Sequence, residues 1–373
     1  MTTSRLHASY RIACPAQEID ARALALALEQ SVEVPLAAVT DQRVRLEVMG
    51  QVEAVEPRDD GRFDVRIALA AETVGDDPGQ LLNMLFGNSS LQADVELVDA
   101  ELPGTMLAAF GGPRFGAAGV RALVGVPHRP LTCAALKPQG LPPDALARLA
   151  GTFARAGVDV IKDDHGLADQ QAAGFHARVD AVQREIEAAN RDTGRHTLYA
   201  PSITGAPDAI RAQVRHARDR GVGMLLLAPM ISGVSALRAL AREANVPVLA
   251  HPALAGLGRI APPLLLGKLF RLFGADATVF PNHGGRFAYS PATCAAIASA
   301  ARAPWSGLRS TLPVPAGGMT IERMPELRRF YGDDFMALVG GDLLAGGAPI
   351  ETRCRAFVAA VAGDAPPPVG ARQ

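Results

Sequence analysis

From about residue 130 onward the chain repeats one unit, a short apolar strand followed by an Ala-rich amphipathic helix. Strands are expected at Thr132–Lys137, Val158–Lys162, Thr197–Ala200, Met224–Leu227, Val246–His251, Thr278–Pro281, Leu312–Ala316 and Met336–Val339. Helices are expected between them, at Pro143–Ala156, Asp169–Thr193, Ala206–Arg220, Val234–Ala244, Pro291–Ala301 and Ile321–Tyr331, with a last one over Ile350–Ala362. Eight strand–helix units in about 240 residues predict a (β/α)8 barrel. The alternative is a doubly wound open sheet. No G-x-G-x-x-G follows the first strand, which argues against a dinucleotide fold.

The residues before the repeat read as a small α+β unit. His7–Cys14 is expected to be a strand, and Asp20 to cap a helix running to Ser31. Alternation of apolar and polar residues predicts strands from Val44 through Ala54 and from Phe63 to Leu69, joined by the turn Pro57-Arg-Asp-Asp-Gly61. A helix over Pro78–Phe86 and a strand over Ala93–Leu102 complete a β-α-β-β-α-β order, that of a ferredoxin-like domain. The Gly-rich stretch Phe110–Gly119 reads as the connection. This gives an α/β chain with a ferredoxin-like N-terminal domain over 1–120 and a barrel over 121–373. The tail Gly363-Asp-Ala-Pro-Pro-Pro reads as disordered.

Charge excludes some functions. Lys plus Arg number 37 and Asp plus Glu 38, so no nucleic-acid partner is expected. No apolar run is long enough for a membrane span, and the opening MTTSRLHASYRIACP has no apolar signal core, so a cytoplasmic protein is expected. Cys14, Cys133, Cys294 and Cys354 lie far apart without a Cys-x-x-Cys pair, against a disulfide framework or a structural zinc site.

In a (β/α)8 barrel the active site lies at the C-terminal ends of the strands. Strands one and two end in lysines, Lys137 and Lys162, and lysine is seldom buried without a partner. A lysine near other cations or against an apolar wall can act as a base; the plainer alternative for Lys137 is an ammonium paired with a carboxylate. Lys162-Asp-Asp164-His165 reads as an oxygen-rich cluster suited to Mg²⁺, or else as a solvated acidic loop capping a helix. Gly317-Gly318 and Gly340-Gly341 follow strands seven and eight, the usual phosphate-binding corner of such barrels. Arg286, in His283-Gly-Gly-Arg286, adds an anion contact. His7, His128, His176, His196 and His216 show no metal-ligand spacing. No Gly-x-Ser-x-Gly elbow is present.

At these strand ends the sequence resembles the large chain of ribulose-bisphosphate carboxylase/oxygenase (RuBisCO), and more closely the form IV, RuBisCO-like proteins. The resemblance rests on Gly157-Val-Asp-Val-Ile-Lys-Asp-Asp164, on Arg129-Pro-Leu-Thr-Cys-Ala-Ala-Leu-Lys-Pro138, and on Met324-Pro-Glu-Leu with Tyr331-Gly-Asp-Asp334 and Gly340-Gly341. It implies that Lys162 is carbamylated by CO2 and binds Mg²⁺ with Asp164 and the third position, which holds His165 instead of Glu. It implies that Lys137 is an acid or base near the enolate, that His251 is a second catalytic group, and that the two Gly pairs bind phosphate. Glu29 and Asn88 match residues that the N-terminal domain of a neighbouring subunit lends to the site, so a homodimer or higher homo-oligomer is expected.

The departures are Gln139 for the second strand-one lysine, Pro252 for the arginine after the strand-five histidine, Val279 for the strand-six histidine, Arg286 for the flexible-loop lysine and Ala316 for a serine. They argue against CO2 fixation. What remains suits metal-dependent enolisation of a singly phosphorylated keto sugar or keto acid, as a tautomerase, isomerase or decarboxylase. The alternatives are a catalytically silent protein that binds a sugar phosphate and regulates, or residual ribulose-bisphosphate carboxylase activity.

Overall fold

The computed structural model describes residues 4–287 and 289–364. The Pro-rich tail beyond Asp364 lies outside the described residues. The chain divides into two compact units: Met1–Gly111 with Leu254–Leu265 and Ser306–Leu308, and Gly112–Ala253 with Leu266–Trp305 and Arg309–Gln373. Among the described residues no helix is long and apolar enough to cross a membrane.

The first unit holds β1 (Arg5–Ile12), β2 (Gln51–Pro57), β3 (Phe63–Ala70) and β4 (Val95–Glu101) in an antiparallel sheet of order β2-β3-β1-β4. Strand alternation puts Leu6, Ala8, Tyr10 and Ile12 on the buried side of β1. The helix Ile19–Glu29 buries Ile19, Ala23, Leu26 and Ala27, and the Tyr10 hydroxyl donates to Leu85 O at the end of the helix Pro78–Phe86 (2.6 Å). This is the ferredoxin-like order.

Two local expectations fail here. Asp20 does not cap its helix: it lies in the first turn, with Glu18 at the cap position and no side-chain cap. Val44–Val48 is a wide helical turn rather than a strand. Asp41 accepts the Val44 N–H (3.0 Å), a helix-start contact that outweighs five residues of alternation, and the strand begins only after Gly50. Leu254–Leu265, which the periodicity left unassigned, runs beside β4: Leu97 N donates to Arg259 O and Ala261 N to Leu97 O, both at 2.9 Å.

The second unit is a closed parallel barrel. Its strands are β5 (Leu131–Leu136), β6 (Val160–Asp163), β7 (Leu198–Ala200), β8 (Ser202–Ile203), β9 (Leu225–Leu227), β10 (Val248–Ala250), β11 (Ala277–Pro281), β12 (Leu312–Ala316) and β13 (Met336–Val339). Pro201, which has no N–H to give, splits the third barrel strand into β7 and β8. The pairing runs β13-β5-β6-β7 and β8-β9-β10-β11-β12, and β12 lies against β13, so the sheet closes and the open-sheet alternative fails. Leu131, Cys133, Ala135, Val160, Met224, Leu226, Leu249, Ala277, Val279, Leu312, Val314, Met336 and Leu338 fill the interior with Val120 and Val124.

Two helices were not expected, Gly104–Phe110 in the first unit, over sequence left mostly unassigned, and Gly116–Val124 in the second, which begins inside the Gly-rich connection; Gly111 and Gly125 end them in the left-handed conformation. The helix after β6 starts at Phe175, not Asp169. Asp169 still serves its start, accepting the Phe175 N–H (2.6 Å).

At the N-terminal end of the barrel, buried Asp276 gathers three backbone donors: Phe115 N and Gly116 N on one oxygen, both at 2.7 Å, and Val248 N on the other at 2.9 Å. It thereby fixes the helix Gly116–Val124 to the strand ends. Asp276→Asn turns an amide NH2 toward one of these N–H groups. The expected cost is about 2 kcal/mol, read as a lower urea midpoint at unchanged slope.

Candidate functional site

The period of a β-strand sorts the residues of this site. In β5, Leu131, Cys133 and Ala135 face the interior, so Lys137, two positions on, faces the same way at the rim. In β6, Val160 faces in, and Lys162 and Asp164 follow on that parity; Asp163 faces out, toward the helices. Leu249 places His251 by the same rule, and Leu338 places Gly340. The register Ala135↔Lys162 and Leu136↔Asp163 then brings Lys137 to Asp164.

Asp164 is the hub. Its Oδ2 accepts from Lys137 Nζ (2.7 Å) and Gln139 Nε2 (3.3 Å), and its Oδ1 lies 3.1 Å from His165 Nδ1. Burial alone would raise its pKa, but the hydrogen bonds from His165 and Lys137 and the charges of the two lysines outweigh burial and hold it well below the usual carboxylate range. Lys137 remains 36% exposed at its side chain, so it faces both Asp164 and the barrel mouth. The plainer reading of Lys137, an ammonium paired with a carboxylate, is geometrically correct, but the carboxylate is that of the site.

The His165 ring stacks on His251 with centroids 4.1 Å apart and planes 12° from parallel. His251 Nδ1 accepts the Ala253 N–H (3.2 Å), which places its proton on Nε2. Burial first, then the nearby Lys162 and His165, drive the His251 pKa down to about 2. It is therefore a neutral hydrogen-bond donor.

Lys162 is fully buried, and its Nζ donates to Asp163 O (2.7 Å). Burial lowers its pKa, against the pull of Asp164 and Asp163, so the amine is driven toward its neutral form. Asp163 belongs to a separate buried network, accepting from Arg178 Nε (3.0 Å), Tyr199 OH (2.8 Å) and Ser202 N (3.0 Å). The reading of adjacent carboxylates as one metal cluster is thus corrected: only Asp164 faces the mouth.

The Gly pairs sit at the ends of the neighbouring strands β12 and β13. Gly317 and Gly318 have φ of 90° and 80°, and a Cβ at Gly318 would meet Arg286 N. Arg286 N donates to Gly317 O (2.9 Å), whereas its guanidinium lies over the Phe287 ring and is exposed. Gly340 stands under Lys137; a Cβ there would lie 3.7 Å from Lys137 Cε. Gly341 opens a short helix, Gly341–Leu344. Behind β11, Tyr331 OH donates to Asn282 Oδ1 (2.6 Å), a contact that residue spacing gave no means of finding.

Glu29 and Asn88, far apart in sequence, do meet in the first unit. Asn88 Nδ2 donates to Glu29 Oε1 (3.0 Å) and also to Glu33 Oε1 (2.8 Å). Glu33 was not anticipated, because it depends on a left-handed backbone turn (φ 54°) after the helix. The rings of His176 and His216 lie 4.3 Å apart on the outer helices with their planes tilted by 37°, and His216 Nε2 is 2.7 Å from Asp180.

The family model for the ribulose bisphosphate carboxylase large chain, catalytic domain, matches residues 116–281. The chain is 55% identical to ribulose bisphosphate carboxylase-like protein 1 of Rhodopseudomonas palustris, over 96% of this chain and 98% of that one. It is 53% identical to the 5-methylthioribulose-1-phosphate isomerase of Rhodospirillum rubrum, over 97% and 98%. Its fold matches the crystal structure of a RuBisCO-like protein from Rhodopseudomonas palustris with a TM-score of 0.91, at 52% identity and full coverage of both chains.

Proposed function

The chain belongs to the ribulose bisphosphate carboxylase large-chain family, among its RuBisCO-like members, and on that premise we propose that it is an isomerase working by enolisation of a singly phosphorylated keto sugar. The substrate class we favour is 5-methylthioribulose 1-phosphate, the one named for the relative at 53% identity. The observation that carries the reading is the Lys137–Asp164 pair at 2.7 Å, open to the mouth on one side and backed by a buried, neutral-leaning amine at Lys162.

In this reading Lys137 Nζ, as the free amine, takes a proton from the carbon beside the ketone, becomes the ammonium and returns a proton to another substrate carbon, while Asp164 holds that nitrogen in place. His251 donates its Nε2 proton to an oxygen where negative charge develops. Backbone N–H groups at Gly317, Gly318, Gly340 and Gly341 hold the single phosphate, with Arg286 as a second, outer contact.

Among the described residues no group of three or more His, Cys, Asp or Glu side chains is arranged to hold a metal. The donor set still fits Mg²⁺ once Lys162 is counted, because burial lowers the pKa of its amine and the unprotonated amine is the form that reacts with CO2. A carbamate there and the ionised Asp164 would supply two negative charges, and His165 a third, neutral donor. When bound, the cation would stabilise the enolate oxygen.

The test is solvent exchange. The protein in D2O with Mg²⁺ and bicarbonate should replace the C–H proton beside the ketone of 5-methylthioribulose 1-phosphate, seen as loss of its proton NMR signal. Saturable binding without exchange across a panel of keto-sugar phosphates would sink the enzymatic reading in favour of a binding protein.

Glu29 and Asn88 are further proposed to serve a neighbouring subunit in a homo-oligomer. Glu29→Ala or Asn88→Ala should then lower kcat/KM at least about tenfold with the thermal midpoint kept. Full activity in both variants would refute the shared site.

A further inference from the structure

Gln139 and Gly166 face each other across the two strand-end loops of the proposed site. The three atoms nearest to a Cβ built on Gly166 all belong to the Gln139 side chain, its Nε2, Cδ and Oε1, and the first would overlap it. The backbone of Gly166 is not left-handed, so its conformation does not demand glycine. What glycine provides there is room, which a side chain would take by displacing the end of Gln139. The room is used by one group, the carboxamide of Gln139, whose Nε2 reaches Asp164 Oδ2 (3.3 Å) beside Lys137 Nζ. The loop that carries Gly166 is itself fixed: Gln170 Nε2 donates to Gly166 O (2.6 Å) and Leu167 N to Asp164 O (2.9 Å).

We infer that Gln139 is a positioning residue for Asp164, seated by the missing side chain of Gly166, and that the pair sets how well Asp164 receives a divalent cation. The inference rests on the proposed role of Asp164 as a metal ligand. Its physical basis is simple. Two donors on Oδ2, one charged and one neutral, fix the carboxylate plane while adding only a single positive charge next to it. Partners of this kind, which hold a ligand without touching the metal, typically change metal affinity 10–100-fold.

The arrangement supplies its own control, because Gln139 can be displaced without altering it. Gly166→Ala leaves every polar group in place but pushes the flexible end of Gln139 off Asp164. Mn²⁺ binding to the full chain in bicarbonate buffer, followed by electron paramagnetic resonance, is the readout, with Asp164→Ala as reference.

Gln139→Ala and Gly166→Ala should each weaken Mn²⁺ about tenfold. The double variant should equal Gln139→Ala alone, since nothing is left for the new methyl to displace. Exchange kinetics should show the loss in kcat/KM at low metal and its recovery at saturating metal. If Asp164→Ala abolishes Mn²⁺ binding but both single variants bind as the wild type does, the role of Gln139 is overturned while that of Asp164 stands. Losses that add in the double variant would overturn the steric link. Mn²⁺ binding unchanged in Asp164→Ala would remove the metal reading and this inference with it.

Discussion

Lys162→Met is expected to lower solvent exchange and isomerisation by a factor on the order of 10³, and to do so without loosening the fold. Methionine fills nearly the same volume as the lysine stem inside a fully buried position, so packing is kept. The reacting amine is removed. The stability side has a definite sign. Burial holds the folded pKa of Lys162 below its unfolded value of about 10.4, so the unfolded chain binds a proton that the folded chain resists. The wild type therefore loses stability as pH falls from the unfolded pKa toward the folded one. In CO2-free buffer the variant should melt higher than the wild type at pH 7, and the gap should narrow as pH approaches 10. A variant with wild-type exchange, or one that melts far lower at pH 7, would contradict the role given to Lys162.

Asp163→Ala and Asp164→Ala are expected to fail in opposite ways, although the two residues are neighbours. Asp163 and Arg178 are both fully buried, and removing the carboxylate leaves the guanidinium charged without its partner. Tyr199 OH and Ser202 N lose their acceptor as well. A loss of about 3–5 kcal/mol is expected, which is a large part of the stability of an ordinary domain. Asp164 instead pairs with Lys137, whose side chain is partly exposed, so removing the carboxylate leaves a lysine that water can reach rather than a sealed charge. Asp164→Ala should therefore fold normally and lose exchange by roughly 10²–10³. Urea unfolding at fixed slope separates the two outcomes, with exchange measured on the folded fraction. Equal destabilisation of both variants would show that the inward and outward faces of β6 have been misread.

Much of this was written in the chain. The apolar strand and helix repeat is a local property, so β12, β13 and the last helix fall where the pattern put them, at Leu312–Ala316, Met336–Val339 and Ile350–Ala362. Alternation along a strand is equally local, and with Val160 inside it already separates Lys162 and Asp164 from Asp163. The failures are also local in origin. Val44–Val48 alternates over too few residues to decide between a strand and a turn, and the Asp41 cap decided it.

Composition and periodicity determined the two architectures, the strand ends and the residue types gathered there, because those depend on neighbours within a few positions. Tertiary structure alone decided which of these residues meet. The pairing of Lys137 with Asp164, the stack of His165 on His251, the Arg178 clamp on Asp163 and the seat of Gln139 at Gly166 each join separate loops or elements. Such contacts follow from strand register and loop closure, which are fixed only when the whole barrel closes on its core.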